Sequence, residues 1–446
     1  MIKYTKLFIT FLLVAVAIGA KSQSTASSSS PYSRFGLGDI SSGQVPQTIA
    51  MGGISTAINK INSYNTINQL NPASYGLINL TTIDVGIYSN TLFVSQTGQK
   101  SQTDANFRLS HISFAFPVTH NSALSFGLLP YSQLGYNYKQ SIPRGYGTSS
   151  PADTNNTNYL YHGEGGLSKA YFGYGITLFK HLSLGANISY IFGDLKQTQS
   201  TEIPNLYGTL NSIVEQDNSI GGIAYDYGAQ YTIDITPTKH FVLGYSASAN
   251  SKLNSQSKYI VSQYTLDASG VANVAADTLI NQSATKTKLQ LPQINRFGIS
   301  LQEDGKYLVG ADFSMGNWSN LTIGGVNQGL LNSKTVNVGG QFTPDINAIN
   351  SYWSTVDYRF GATYDQSYIN ASNPTGGGFT NIKSYALTFG LGMPMRPNFG
   401  TFYKINIAAE VGQRGTLANG LVKENYVNIH LGFLINDKWF NRFKFD

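Results

Sequence analysis

From residue 81 onward, apolar and polar residues alternate along the chain with a period of two. Leu182, Leu184, Ala186, Ile188, Tyr190 and Phe192 interleave with Ser183, Gly185, Asn187, Ser189 and Gly193. Val427, Ile429, Leu431, Phe433 and Ile435 do the same with Asn428, His430 and Gly432, and Ile405, Ile407, Ala409 and Val411 with Lys404, Asn406 and Glu410. Successive side chains of a strand point to opposite faces, so each run has one continuously apolar face and one small or polar face. In a soluble sandwich the apolar face is the core; in a membrane barrel it is the lipid face. Counting the runs predicts about fourteen strands, starting near residues 80, 106, 121, 160, 181, 219, 240, 285, 306, 334, 352, 379, 401 and 424.

The connections between these runs alternate in length. Short ones fall at 119–121, 179–181, 236–240, 303–306 and 395–400, with a longer member at 344–352. Long polar ones fall at 139–158, 199–218, 266–284, 317–333 and 370–379, with shorter members at 95–104 and 416–423. Short turns on one side and long loops on the other, with an even strand number, are the asymmetry of an outer-membrane barrel. Both termini then fall on the periplasmic side. Closure follows from the medium: in hydrocarbon every backbone amide must be paired within the protein, so the last strand has to meet the first.

Residues 31–80 follow neither pattern. Gly36, Gly38, Gly43 and the pair Gly52-Gly53 let the backbone turn tightly and approach other elements, and Asn71-Pro72 makes a turn just ahead of the first strand. This stretch reads as a compact plug around which the barrel is wrapped.

Composition decides between sandwich and barrel. Only 12% of the residues are charged, against about 25% in soluble globular chains. There are 29 Tyr, 24 Phe and 46 Gly, and the mean hydropathy of −0.14 is not that of a helical membrane protein. After Ala20 no run approaches the ~18 apolar residues that a spanning helix needs. The expected fold is all-β: a transmembrane antiparallel β-barrel of about fourteen strands with an N-terminal plug, or hatch, in its lumen. The expected division is residues 1–22 as signal peptide, 23–80 as lead-in and plug, and 81–446 as outer-membrane barrel.

The leader has a basic start at Lys3 and Lys6, an apolar core from Leu7 to Ala20, and small residues at Ala20 and Ser22, which predicts cleavage before Gln23. Removing it takes the formal charge from +6 to +3. No basic cluster stands out, which argues against nucleic acid. The absence of Cys excludes disulfides, thiolate metal sites and a lipid-modified N-terminal Cys. No nucleophile elbow, zinc-protease motif or phosphate-binding loop is found, so neither an enzyme nor a cofactor nor a metal is expected. His162-Gly163-Glu164 and the run Asp153, Asn155, Asn156 and Asn158 read as solvated loop residues.

Two groups of residues carry a resemblance. Ala50-Met51-Gly52-Gly53, then Thr56-Ala57, then Asn71-Pro72-Ala73 leading into a first strand, resemble the FadL-like (OMPP1/TodX-type) family of outer-membrane transporters for hydrophobic compounds. The opening 31–39 stretch, PYSRFGLGD, is similar to the Bacteroidota branch of that family. The resemblance implies that Met51, Gly52, Gly53, Asn71, Pro72 and Ala73 belong to a hatch inside a fourteen-stranded barrel of a Gram-negative outer membrane. It also implies a fatty-acid-like, hydrophobic or amphipathic small-molecule ligand that leaves sideways through the wall.

The strand parity places Asp84, His111, Asp226, Arg296, Asp312, Asp357, Arg359, Lys404, Glu410 and Arg414 in the lumen. Both signs occur, so they read either as a paired network that anchors the plug or as a polar guide for a ligand head group. Pro130 lies inside the third strand and has no amide hydrogen for a ladder, which predicts a bulge or kink there. In the family this chain resembles, a kink in the third strand opens the wall, so Pro130 is the candidate lateral opening. Two functions remain open: a channel for hydrophobic compounds, or a barrel that docks protein partners in an outer-membrane secretion complex of type IX kind or in an assembly complex. The expected partners are outer-membrane lipid, a hydrophobic small-molecule ligand, other outer-membrane proteins and, during biogenesis, the barrel assembly machinery.

Overall fold

The computed structural model describes residues 30–438 apart from 42, 59–63, 143–155, 205, 207, 268 and 396–400. The expected signal peptide, Asp153 and Asn155 lie outside the described residues.

Fourteen antiparallel strands close into a barrel. They are β1 Thr81–Gln96, β2 Gln102–Thr119, β3 Ser122–Ile142, β4 Thr157–Leu178, β5 Leu182–Glu202 and β6 Asn211–Asp234. Next come β7, in two segments Lys239–Ser248 and Lys252–Tyr264, and β8, also in two, Asp277–Gln290 and Ile294–Glu303. The wall is completed by β9 Tyr307–Gly316, β10 Ser333–Phe342, β11 Asp357–Ser372, β12 Phe379–Pro394, β13 Phe402–Gly415 and β14 Val422–Asp437. Strand β14 pairs with β1 from Val422↔Gln96 to Asp437↔Thr81, which closes the ring. Among the described residues no helix is long and apolar enough to cross a membrane.

The faces follow the alternation. On β5, Ile188, Tyr190 and Phe192 are exposed on the outside while Ser183, Asn187 and Ser189 are buried. The same holds on β6 for Ile223, Tyr225 and Tyr227 against buried Asp226. An apolar exterior over a polar, buried interior is the inverse of a soluble core and is the pattern of a membrane barrel.

Some strands outrun the expectation. The stretch 199–218, expected as loop, is largely strand, since β5 continues to Glu202 and β6 begins at Asn211, and 266–284 is strand from Asp277, where β8 begins. Their residues are mostly polar, with Ile213, Val214, Leu279 and Ile280 too few to make a continuous apolar face, because a ladder that rises above the hydrocarbon keeps its hydrogen bonds without needing one. Strands β7 and β8 are both interrupted, at 249–251 and at 291–293, where Pro292 lies. Below the breaks, 239–248 pairs with 294–303; above them, 252–264 pairs with 277–290.

The described part of residues 30–80 packs against inward-facing residues of the wall. Short helical turns at Pro31–Arg34, Pro46–Ile49 and Pro72–Leu77 each start at a proline, whose fixed φ and missing amide suit a first helical position. Contact is made at strand glycines. A Cβ at Gly244 on β7 would lie 2.1 Å from the Thr56 carbonyl oxygen, one at Gly339 on β10 2.2 Å from that of Met51, and one at Gly361 on β11 2.2 Å from the Gly52 nitrogen. At Gly185 on β5 it would meet Pro72 oxygen at 2.3 Å, and at Gly432 on β14 Pro46 Cγ at 2.9 Å. The wall thus omits side chains where the backbone of the N-terminal segment touches it.

Candidate functional site

The seam between β2 and β3 parts half-way up the wall. From the turn that joins them, pairing runs through Thr119↔Ser122 to Ile112↔Leu128 and ends there. Above that point β2 stays paired with β1 up to Val94↔Gln102, and β3 stays paired with β4 up to Ile142↔Thr157. Pro130 stands just above the fork. On its β4 side Pro130 faces Ser168, and the register then shifts so that Ser132 faces Leu167, which leaves Tyr131 as an extra residue. Proline at this place follows from its chemistry, since it can supply no ladder donor.

The β3 side of the fork is covered from within. Asp39 pairs with Gln133 and Ile40 with Ser132 as a two-residue antiparallel strand, and the Ser41 amide donates to the Tyr131 carbonyl at 2.9 Å. Gly38 makes this approach feasible: with φ +92° and a would-be Cβ 2.3 Å from the Gln133 oxygen, only glycine fits. The Tyr368 hydroxyl on β11 donates to the Gly38 carbonyl at 2.8 Å. Arg414 on β13 donates to Asp39 Oδ1 and to Glu424 Oε2, each at 2.7 Å, and its second terminal nitrogen meets the Ser30 hydroxyl. Tyr32, whose hydroxyl donates to the Val422 carbonyl, has its phenol pushed up by burial and by the nearby Glu424 carboxylate.

Behind the fork lies a cavity of about 70 Å³. Ile40, Leu70, Leu129, Tyr131 and Ile191 give it apolar walls, and Leu291 with Pro292 bring the break of β8 to its edge. Lys169, Asp226 and Arg296 also line it. Lys169 Nζ donates to Asp226 Oδ2 at 2.5 Å, and Arg296 donates to the Ser248 hydroxyl at 3.3 Å. Above it, Leu37 packs with Leu134, Trp318, Leu321 and Leu330 in the largest apolar cluster of the interior.

The ten charged residues expected in the lumen form separate groups rather than one network. Asp84 stands 3.1 Å from His111 and accepts from Gln47 of the N-terminal segment at 2.9 Å. Asp312 accepts from the backbone amides of Ser55 and Thr56 at 2.7 and 2.8 Å. Asp357 is held by Arg359 at 2.7 Å and by Lys404, while Arg359 also donates to Gln341 and Asn406 at 2.7 Å each. Lys404 Nζ lies 4.1 Å from the centroid of the Tyr64 ring. Glu410 accepts from Tyr426 and Asn428 at 3.1 Å. Thus Asp84, Asp312 and Arg414 bind the N-terminal segment by hydrogen bonds, whereas Asp226, Asp357 and Glu410 are bonded to wall residues.

Of the expected hatch residues, Met51, Gly52 and Gly53 lie against β10, β11 and Gln44. Asn71 caps the turn that starts at Pro72, its side chain accepting from the Ala73 amide at 3.2 Å and donating to the Thr56 carbonyl at 2.6 Å. Sequence reasoning missed Lys169, Glu424 and Asp39. Lys169 and Glu424 share the inward parity of their strands, which was the signal that could have found them; Asp39 lies in a stretch without periodicity. Among the described residues no group of acidic and histidine side chains could hold a metal ion.

The fold is that of FadL/TodX-type channels. The chain is similar to the CymD monoaromatic hydrocarbon channel, with a TM-score of 0.54 at 13% identity over 91% of this chain and 100% of that one. It is similar to the Ralstonia pickettii toluene transporter TbuX, with 0.54 at 16% identity over 88% and 98%. A FadL homologue of Pseudomonas aeruginosa gives 0.54 at 10% identity over 91% and 99%. These relatives are channels and transporters, not enzymes. No curated protein matches the sequence. The sequence model of one family, BamG, matches residues 1–446.

Proposed function

The chain belongs to the BamG family, and from that premise, joined to the channel fold, we propose that it is an outer-membrane barrel of a Gram-negative cell that passes small hydrophobic or amphipathic compounds. Both termini are periplasmic in this reading, residues 1–22 are a cleaved signal, and residues 23–80 carry the hatch. The observation that carries it is the coincidence of three features: the cavity, the register shift at Pro130, and the end of β2–β3 pairing at Leu128 all meet at one place in the wall. A molecule in the cavity needs to displace only the Asp39–Ile40 strand to reach the membrane. Apolar walls with Lys169, Asp226 and Arg296 on one side suit a small compound with an apolar body and a polar end.

Native mass spectrometry of the barrel released in mild detergent tests this reading. A retained lipid-like or aromatic compound that is lost from a Leu129→Trp variant supports it. An empty barrel that also fails to admit hydrophobic tracers into liposomes overturns it.

A second reading is favoured by the BamG match, which hints at involvement in barrel assembly. Here the barrel is a subunit that docks partner proteins in an outer-membrane assembly or secretion complex, and the same mass spectra would show it in large complexes without small-molecule cargo.

A further inference from the structure

On the outside of the barrel, the upper parts of β10, β11 and β12 carry an arrangement that transport does not use. Lys334, Gln366 and Lys383 lie side by side on one rung, Lys334 paired with Gln366 and Gln366 with Lys383. On the rung below, on the same face, Val336, Tyr364 and Tyr385 are again in register and are 43%, 45% and 54% exposed. Phe360, Leu387 and Phe389 continue this apolar exterior downward. The other face of these strands is the interior, where Thr335 donates to Asp365 at 2.7 Å and Ile382 is buried.

Height places the rung at the edge of the hydrocarbon. Met393, near the lower end of β12, and Lys383 are ten residues apart on one strand. At about 3.3 Å per residue and a tilt of about 40°, the strand climbs about 25 Å between them, which is the height of the apolar band. The two ammonium groups therefore stand where acyl chains give way to head groups, with a pair of tyrosines just beneath them as interfacial residues.

Charge at this place is unbalanced. Among the described residues the side chains of Lys334, Gln366 and Lys383 have no hydrogen-bonding or ionic partner. The acids of the surrounding strands are turned away from them. Asp312 and Asp357 are buried, Asp365 is bonded to Thr335, and Glu410 is bonded to Tyr426 and Asn428. The opposite wall is built differently, for there Lys196 has Glu164 and Asp217 as its two neighbours on the rung. Two cations separated only by an amide leave room for one shared anion, and a phosphate has the oxygens to accept from both ammonium groups and from the amide.

We infer that the rung of Lys334, Gln366 and Lys383 binds the phosphate of an outer-leaflet glycolipid, its sugar over Tyr364 and Tyr385 and its acyl chains along Val336, Leu387 and Phe389. Lipid is the source of the anion because acyl chains cover the wall immediately below, and the outer leaflet of a Gram-negative outer membrane is built from phosphorylated glycolipid. Clustered lysines at a membrane surface attract such head groups. The inference goes beyond transport and docking alike; it rests only on the periplasmic placement of the termini, which turns this end of the barrel outward.

Native mass spectrometry of the intact barrel in mild detergent, titrated with diphosphorylated lipid A, tests it. The wild type should retain the lipid, and Lys334→Gln combined with Lys383→Gln should weaken that binding by about tenfold or more. Lys196→Gln should leave it unchanged, and an unaltered heat-modified gel shift shows that each variant is folded. Lipid A stripped of its phosphates should bind the wild type no better than the double variant does. Equal affinity of wild type and double variant for the diphosphorylated lipid, or no retention by the wild type, overturns the proposal. Retention of inorganic phosphate at the concentration that suffices for lipid A overturns it too, since the site would then serve a free anion. Orientation is read separately on intact cells with an impermeant maleimide and Thr375→Cys, in the turn above the rung. Protection of that cysteine overturns the outer-leaflet assignment whatever the affinity, whereas a failure of lipid binding leaves the orientation untouched.

Discussion

Arg414 on β13 holds Asp39 at 2.7 Å, and through it fixes the two-residue strand that covers β3 beside the fork. The same guanidinium neutralises Glu424, which is 1% exposed. One side chain thus ties the entry of the N-terminal segment, the closing strand and the covered lip together. Arg414→Met strands Glu424 as a buried carboxylate and frees Asp39. With Arg414 itself about a fifth exposed, the expected loss is ~1–3 kcal/mol, read as a lower midpoint for the heat-modified shift on gels. Asp39→Asn keeps Glu424 paired and should lower it less, while raising labelling of a cysteine placed at Ile40.

Gly244, Gly339 and Gly361 touch backbone of the N-terminal segment at little over 2 Å from a would-be Cβ. Gly339→Ala and Gly244→Ala should each cost ~1–3 kcal/mol by overpacking and loosen that segment from the wall. Limited proteolysis within residues 31–80 of the inserted barrel checks this; Gly221→Ala, where a Cβ would meet only the end of the Tyr190 side chain, is the control.

Asp357 sits between Arg359 and Lys404, with all three side chains 2% exposed or less. Removing one cation from such a buried group is expected to cost ~3–5 kcal/mol. Lys404→Met should therefore lower the urea midpoint of the refolded barrel far more than Lys306→Met, whose ion pair with Glu303 lies in an exposed turn.

In the hatch reading, deleting residues 31–80 should leave an inserted barrel with much larger single-channel conductance, since Met51, Thr56 and Tyr75 are buried against the wall. Unchanged conductance would mean that the loops close the pore.

Pro130→Val supplies an amide donor at the fork. With surface levels matched, uptake of a hydrophobic substrate is expected to slow while insertion stays intact; unchanged uptake would leave Pro130 a structural bulge.

Where the chain crosses lipid, the sequence is explicit: Ile188 and Tyr190 against Asn187 and Ser189 state both the strand and its inner face, and the same contrast fixed the number of strands. Above the lipid the contrast vanishes, which is why Gln199 and Asn218 look like loop although both are paired in the β5 and β6 ladders. Pro130 announced an irregularity in β3, but nothing local to β2 announces that it parts from β3 at Ile112. Such a parting depends on what two distant segments do together, and the pairing of Ile40 with Ser132 is equally non-local. The inward charges were legible from parity; their division into separate groups was not, because parity gives the face of a residue and not its neighbour around the wall.

The glycines against which the N-terminal segment packs also fix an order of events. That segment is made first, whereas β14 is made last, and β14 closes the ring with Gly432 laid against Pro46 and the Val422 carbonyl on the Tyr32 hydroxyl. The closing strand therefore makes these contacts only with the start of the segment already beneath it. In the proposed route a compound passes by small shifts at the fork alone, and the fits at Gly432 and Tyr32 stay as they are.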